Sequence, residues 1–104
     1  MPQIKDLNKR IRQLLHQKAP GAKVILFGSY ARGDAQADSD IDLLILLKQS
    51  KIKQSDFDKI AYPLIEFGWK QGVYISPKLY TFDQWQKRSF TPFYKNVESE
   101  GIEI

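Results

Sequence analysis

Two aspartates, Asp40 and Asp42, stand at the start of an apolar run, Ile41–Leu47. Successive side chains of a strand point to opposite faces, so both carboxylates are expected on one side, about 6.6 Å apart along the backbone. Two carboxylates that converge from one edge repel each other unless a cation lies between them. Mg²⁺ binds one or two carboxylates together with substrate phosphates, and it offsets the charge that develops during phosphoryl transfer. The pair is therefore a candidate catalytic and metal-binding site.

A second candidate feature, Gly28 followed by Ser29, lies where the apolar stretch Lys23–Phe27 ends. Glycine lets the backbone approach a ligand closely, and the start of a helix offers free N–H groups to an anion. The Ser29 hydroxyl adds one more donor. Arg32 follows within one turn and could reach either a phosphate or a neighbouring carboxylate. Gly28, Ser29 and Arg32 are therefore candidate nucleotide-binding residues.

Each of these features alone has a plainer explanation. A Gly-Ser pair is most often a turn, and an Asp-x-Asp at a strand edge is more often solvated or hydrogen-bonded than metal-binding. Asp34 and Asp38 are expected to be solvated loop residues. The combination favours phosphate and metal binding, because a strand, Gly-Ser, Arg-Gly, a loop and Asp-x-Asp follow one another in this order.

Length and composition predict one ordinary globular domain over residues 1–104, with 42% hydrophobic and 27% charged residues. The absence of cysteine excludes disulfides and thiolate metal sites. The net charge of +4 favours anionic ligands, with nucleic acid as a possible but secondary partner. No apolar stretch is long enough to span a bilayer, and the N-terminus lacks an apolar signal-peptide core. We therefore expect a cytoplasmic protein with no membrane partner.

The spacing of apolar residues predicts the elements of the first half of the chain. Residues 4–18 are expected to form an amphipathic helix, followed by the strand Lys23–Phe27 and a short helix or turn over residues 30–35. Ile41–Leu47 is apolar at both parities, which indicates a central strand covered on both faces. A further helix is expected to begin at Ser55, with Asp58 as its capping-box partner.

In the second half, Pro63 is expected to kink or shorten that helix, and its buried stripe is expected to include Phe57. Residues 72–80 read as a third strand, with Pro77 at an edge or a bulge. Two short helices follow, the second opened by Thr91-Pro92 and closed by Gly101. The aromatic residues of this half are expected to serve mainly as core and helix-docking residues, with some left to form an exposed partner-binding patch.

The order of elements predicts an α+β (α/β) fold, with a mixed sheet of three to four strands and helices packed against it. We expect the strands that begin at Lys23 and Ile41 to be neighbours, with helices on one face of the sheet. Gly28 and Ser29 should then lie beside Asp40 and Asp42.

The stretch Gly28-Ser29-Tyr30-Ala31-Arg32-Gly33, followed by Ser39-Asp40-Ile41-Asp42-Leu43, resembles the signature of the DNA polymerase β-like nucleotidyltransferase superfamily. The greatest similarity is to its minimal nucleotidyltransferase (MNT) branch, whose members are about this short. The resemblance implies that Gly28 and Ser29 bind the nucleotide's phosphates and that Asp40 and Asp42 hold two Mg²⁺ ions. It also implies ATP as the usual donor and transfer of a nucleoside monophosphate to a hydroxyl, with release of pyrophosphate.

The resemblance further implies a protein partner. Minimal members typically act with a small all-helical HEPN protein, often as antitoxin and toxin, and can attach AMP to it.

The sequence departs from the superfamily at its third carboxylate, which belongs on the next core strand. Residues 72–80 contain no acidic residue, and neither Glu66 before them nor Asp83 after them is at a strand position aimed at the Asp pair. A substitute carboxylate, a carboxylate from a partner, or weak catalysis are the alternatives. Three functions therefore stay open: a nucleotidyltransferase, an MNT-fold antitoxin that acts by contact with an inactive site, and, with less support, a nucleic-acid end-modifying enzyme.

Overall fold

The computed structural model describes residues 4–104. Their helices and strands follow in chain order as α1 (Ile4–Lys18), β1 (Lys23–Phe27), α2 (Ser29–Arg32), β2 (Ile41–Leu47), α3 (Gln54–Asp56), α4 (Tyr62–Lys70), β3 (Ile75–Thr81), α5 (Phe82–Lys87), α6 (Pro92–Glu100) and β4 (Ile102–Glu103). A π-helical turn, Phe57–Ala61, joins α3 to α4. None of the helices within this range combines the length and apolar composition that a bilayer-spanning segment requires.

The four strands form one mixed sheet in the order β3-β2-β1-β4. β1 is antiparallel to β2 and to β4, whereas β3 is parallel to β2. The prediction that the first two strands are neighbours in a mixed sheet is confirmed. Pro77 lies on β3, an edge strand of the sheet, as predicted. Proline has no N–H to donate to another strand, so an edge strand tolerates it. The strand begins at Ile75 rather than at residue 72, since Gly72 adopts a positive φ of 76° in the preceding turn.

Helices cover both faces of the sheet, so the prediction of helices on one face is wrong. Ile41, Leu43, Ile45 and Leu47 pack in one apolar cluster with residues of α1 and α4. On the opposite face, Leu44 and Leu46 pack with residues of β1, α5 and α6. The physical reason is that β2 carries apolar side chains at both odd and even positions. Each face of this central strand therefore needs helices packed against it.

The helix after β2 is capped differently from the prediction. It begins at Gln54, and the Lys53 backbone N–H donates a hydrogen bond of 2.7 Å to Asp56 Oδ2. The same oxygen accepts a bond of 2.6 Å from Gln49 Nε2. Asp56, rather than Asp58, is therefore the capping carboxylate.

Pro63 does not break this helix, because the chain widens into the π-helical turn Phe57–Ala61 just before it. Proline has no N–H and clashes with the carbonyl of the preceding turn, and a wider turn accommodates both. Phe57, at the start of the widened turn, is 42% exposed rather than part of the buried stripe.

α6 is fixed on the sheet by contacts at both ends. Thr91 Oγ1 accepts a hydrogen bond of 3.2 Å from Tyr94 N and caps the helix as predicted. Gly101 ends it, and a Cβ at this position would lie 2.5 Å from Ile25 Cγ2, so only glycine allows this close approach to β1. Trp85 Nε1 of α5 also donates a bond of 2.9 Å to Glu98. α6 is thereby held above the end of β1.

Candidate functional site

Strand pairing brings the Gly-Ser turn and the Asp pair together. Asp42 of β2 lies opposite Phe27, the last residue of β1. Gly28 follows with φ of 75°, and a Cβ added there would overlap Asp42 Oδ2. A residue other than glycine would therefore be strained and would displace the carboxylate. The prediction that Gly28 lies beside the Asp pair is confirmed for Asp42.

A cleft of about 440 Å³ opens at this place and has two walls. The first wall is the end of β1 with α2 and β2, and its residues are Phe27, Gly28, Ser29, Arg32 and Asp42. The second wall is one face of α6, formed by Phe93, Asn96, Val97 and Glu100. Asp40 stands exposed just before β2 and is not a lining residue of this cleft. All three predicted nucleotide-binding residues and one of the two predicted metal ligands thus share one cavity.

The contribution of α6 was not predicted. Its lining residues recur at positions 93, 96, 97 and 100, which is the spacing of one helical face. That spacing was available in the sequence, but it gives no indication of which surface the face packs against.

Asp42 carries an electrostatic cost in the absence of a ligand. Burial raises the pKa of the Asp42 carboxyl, and the negative charge of Asp40 raises that pKa further. Lys78 and Arg32 act in the opposite direction, because their positive charges favour the ionised carboxylate. A cation bound between Asp40 and Asp42 would relieve the repulsion between these two residues.

Arg32 is held by carboxylates from two directions. Its Nε donates to Asp34 Oδ2 at 3.3 Å, and its Nη1 donates to Glu100 Oε2 at 3.4 Å across the cleft. The hydrogen bond and charge of Asp34, followed by those of Glu100, raise the pKa of the guanidinium. Of the two uses proposed for Arg32 from the sequence, the structure shows the pairing with carboxylates. A phosphate would have to compete with Glu100 for this donor.

A carboxylate is missing at the position beside Asp42 on β3, where the register places Ser76. Lys78 follows two residues further on and acts on Asp42 through its positive charge. Glu66 pairs with Lys70 at 4.0 Å and Asp83 with Lys87 at 3.0 Å, and neither belongs to the described lining of the cleft. The acidic residue that the fold does bring to the cleft, besides Asp42, is Glu100.

The carboxylates of Asp40 and Asp42 suit one hard cation whose other ligands come from the substrate. No cluster of three or more acidic, histidine or cysteine side chains that could hold a metal ion occurs in the part of the chain that the structure describes. Two carboxylates are nevertheless the usual protein share for Mg²⁺ that binds together with substrate phosphates. Asp40 and Asp42 therefore fit such an ion, whereas a second ion would need a further ligand.

A mixed sheet with a Gly-Ser turn beside an Asp-x-Asp pair defines the nucleotidyltransferase class. Residues 8–103 match the family described as nucleotidyltransferase domain, and the chain belongs to this family. The predicted family, fold class and enzyme class are thereby confirmed.

Two relatives come from Methanocaldococcus jannaschii, and both are provisionally named protein adenylyltransferases. One is 38% identical over 101 residues, which cover 97% of this chain and 94% of the relative. The other is 38% identical over 79 residues, which cover 76% and 73%.

Solved structures share the fold. One described as a minimal nucleotidyltransferase has a TM-score of 0.64 at 23% identity, covering 97% of this chain and 92% of that one. A toxin–antitoxin crystal structure with AMP-PNP has a TM-score of 0.64 at 20% identity, covering 92% and 70%. At these identities the similarity shows the fold alone.

The raised pKa of Asp42 predicts a stability change for Asp42→Asn in metal-free buffer. The folded state binds the Asp42 proton more tightly than the unfolded state, so the contribution of this carboxyl to stability is lost as pH rises through its folded pKa. The variant should therefore be more stable than the wild type near neutral pH. The difference should shrink as the pH falls from the raised pKa of Asp42 to the ordinary pKa of aspartate, and it should change no further below that value.

Urea unfolding in EDTA across this pH range measures the effect. Asp38→Asn, at an exposed loop position, controls for the loss of one negative charge. Equal stability of Asp42→Asn and wild type at neutral pH would contradict the prediction.

Proposed function

We propose that this chain is a Mg²⁺-dependent nucleotidyltransferase that transfers AMP from ATP to a hydroxyl group. The observation that carries the proposal is the shared cleft of Ser29, Arg32 and Asp42, with Gly28 in contact range of the Asp42 carboxylate. The relatives named protein adenylyltransferases support AMP as the transferred group and a protein as the acceptor. The proposal includes a single nucleotidyltransferase domain over residues 1–104 and a cytoplasmic location, where Mg-ATP is available.

In this proposal each site residue has a defined role. Asp40 and Asp42 hold the Mg²⁺, which when bound supplies positive charge to the phosphate oxygens as the reaction proceeds. The backbone at Gly28 and the Ser29 hydroxyl hold the phosphates, and Arg32 pairs with them after releasing Glu100. The acceptor oxygen forms a bond to the α-phosphorus, the bond from that phosphorus to the bridging oxygen of pyrophosphate breaks, and the hydroxyl proton passes to solvent or to a base.

We further propose that the acceptor hydroxyl belongs to a small helical HEPN-type protein, with this chain as the antitoxin of the pair. Support comes from the structural similarity to a protein of a toxin–antitoxin complex. It also comes from one exposed aromatic residue near the site. Tyr74, 49% exposed, accepts a backbone hydrogen bond of 2.8 Å from Ile41, the residue after Asp40. An exposed aromatic side chain beside the Asp pair suits a protein acceptor.

A specific observation favours a second candidate, an MNT-fold antitoxin that acts by contact with little or no catalysis. On β3, Ser76 lies beside Asp42 and Lys78 beside Leu44, so neither position supplies the third carboxylate that a two-metal site would need. Removal of one catalytic group usually slows a reaction by about 10²- to 10⁴-fold without abolishing it. The two candidate functions therefore predict the same ligand, Mg-ATP, and differ in the rate of AMP transfer.

Thermal unfolding with and without Mg-ATP tests the metal and nucleotide site. The wild type should be stabilised by the ligand through mass action, by about 2.7 kcal/mol at a concentration of 100 times Kd. Asp40→Asn and Asp42→Asn should lose this response, and ATP in EDTA should give little stabilisation. Asp38→Asn is the matched control and should respond as the wild type does. If the Asp42 variant responds equally well, the pair is not the metal site.

Release of Arg32 from Glu100 should strengthen nucleotide binding. The pair is largely solvent-exposed, with the Arg32 side chain 44% and that of Glu100 41% accessible, so the expected gain in Mg-ATP affinity for Glu100→Gln is modest, about threefold. Isothermal titration calorimetry measures it. Glu66→Gln removes the same charge outside the cleft and should leave the affinity unchanged. A weaker affinity in Glu100→Gln would instead show that Glu100 supports the ligand.

The missing carboxylate predicts that the isolated chain transfers AMP slowly. Transfer from labelled ATP should increase when the helical partner is added, if that partner completes the site. Ser76→Asp places a carboxylate beside Asp42 and should raise the partner-independent rate, whereas Ser76→Asn, a match in size, should not. Fast transfer by the isolated wild-type chain would show that β3 needs no carboxylate.

A further inference from the structure

We propose that Phe93 and Asn96, on the cleft face of α6, bind the base of the nucleotide and select adenine. This inference rests on the proposed function, because it concerns the same cleft. The volume of about 440 Å³ is within the range of small-molecule sites, and the polar residues of the first wall account for only part of the lining. The second wall is therefore available to a part of the nucleotide other than its phosphates.

Phe93 provides a flat and fixed apolar surface. Its ring lies 5.5 Å from that of Phe27 at an interplanar angle of 74°, and 5.5 Å from that of Trp85 at 83°. Trp85 is buried and donates a hydrogen bond to Glu98 of α6, so the three aromatic rings are held against this helix. An aromatic ring that is held edge to face by two others, and that also lines the cleft, is suited to contact with a purine base.

Asn96 lies three residues after Phe93 and lines the same cleft. Its side-chain amide makes no hydrogen bond to any residue within 4–104, whereas Glu100, the other polar residue of this wall, accepts one from Arg32. A carboxamide presents a donor and an acceptor side by side, which matches the N6 and N7 edge of adenine. The same edge of guanine offers two acceptors and would leave the amide oxygen without a donor.

The direction of α6 agrees with this arrangement. Glu100 contacts Arg32, so the C-terminal end of α6 lies on the Arg32 side of the cleft, and Phe93 lies on the Phe27 side. Phe93 precedes Glu100 by seven residues, which is about 10 Å along a helix. This separation suits a nucleotide whose phosphates lie near Ser29 and Arg32 and whose base lies near Phe93.

Binding titrations of the full chain with Mg-ATP, Mg-GTP and Mg-tripolyphosphate test the inference. The wild type should prefer ATP to GTP by about tenfold, and Asn96→Ala should lose about tenfold in ATP affinity. That variant should bind tripolyphosphate, which has no base, as the wild type does. Gln86→Ala removes an exposed amide from α5 and is the matched control, with no expected change. Phe93→Leu should weaken ATP and GTP binding and spare tripolyphosphate.

The outcomes separate this inference from the proposed function. If the wild type binds ATP in a way that depends on Asp42, but Asn96→Ala keeps the wild-type affinities for ATP and GTP, the base subsite is overturned and the proposed function stands. If the wild type binds neither the nucleotides nor tripolyphosphate, both are overturned. Because Asn96 is exposed, its replacement should preserve the fold, and a melting curve checks this for each variant.

Discussion

The register between β1 and β2 is the constraint on which the rest of the structure depends. With Phe27 opposite Asp42, the odd-numbered residues of β2 enter the cluster beneath α1 and α4, and Ile41, Leu43 and Ile45 are completely buried. A slip of one residue would exchange the faces and turn the Asp42 carboxylate into that apolar cluster, at the cost of burying an unpaired charge. Core packing therefore fixes the position of the carboxylate at the sheet end. Gly28 then lies so close to Asp42 that a Cβ at this position would overlap the carboxylate.

The site is where the chain departs from what stability alone would favour. Asp42 is partly buried near another carboxylate, which raises its pKa, and Gly28 adopts a positive φ in contact range of it. Neither feature helps the sheet, since an apolar residue at position 42 would continue the face formed by Leu44 and Leu46. Local conflicts of this kind are expected at functional sites, where the surrounding structure must over-determine an unfavourable arrangement. Here the surrounding structure is a strand buried on both faces.

How far the sequence predicts this molecule follows from the range of each interaction. β1, β2, α1 and the proximity of Gly28 to Asp42 could be predicted, because periodicity and one antiparallel pairing determine them. Asp56 was missed as the capping carboxylate since capping depends on the residue at which the helix begins. The α6 wall was also missed: its position depends on the close approach of Gly101 to Ile25, 76 residues earlier in the chain, and no local pattern encodes that contact.

The absence of a carboxylate on β3 also changes how the empty site is stabilised. Lys78 lowers the pKa of Asp42, and so it partly offsets the repulsion from Asp40 when no cation is bound. A third carboxylate beside Asp42 would add repulsion to a face that already raises this pKa, and the metal-free fold would be less stable. A chain with two aspartates and a nearby lysine can therefore remain folded without metal more easily than one with three carboxylates. Ser76, beside Asp42, also supplies no carboxylate to a second metal ion. We accordingly expect stability without metal and autonomous catalysis to oppose each other at position 76.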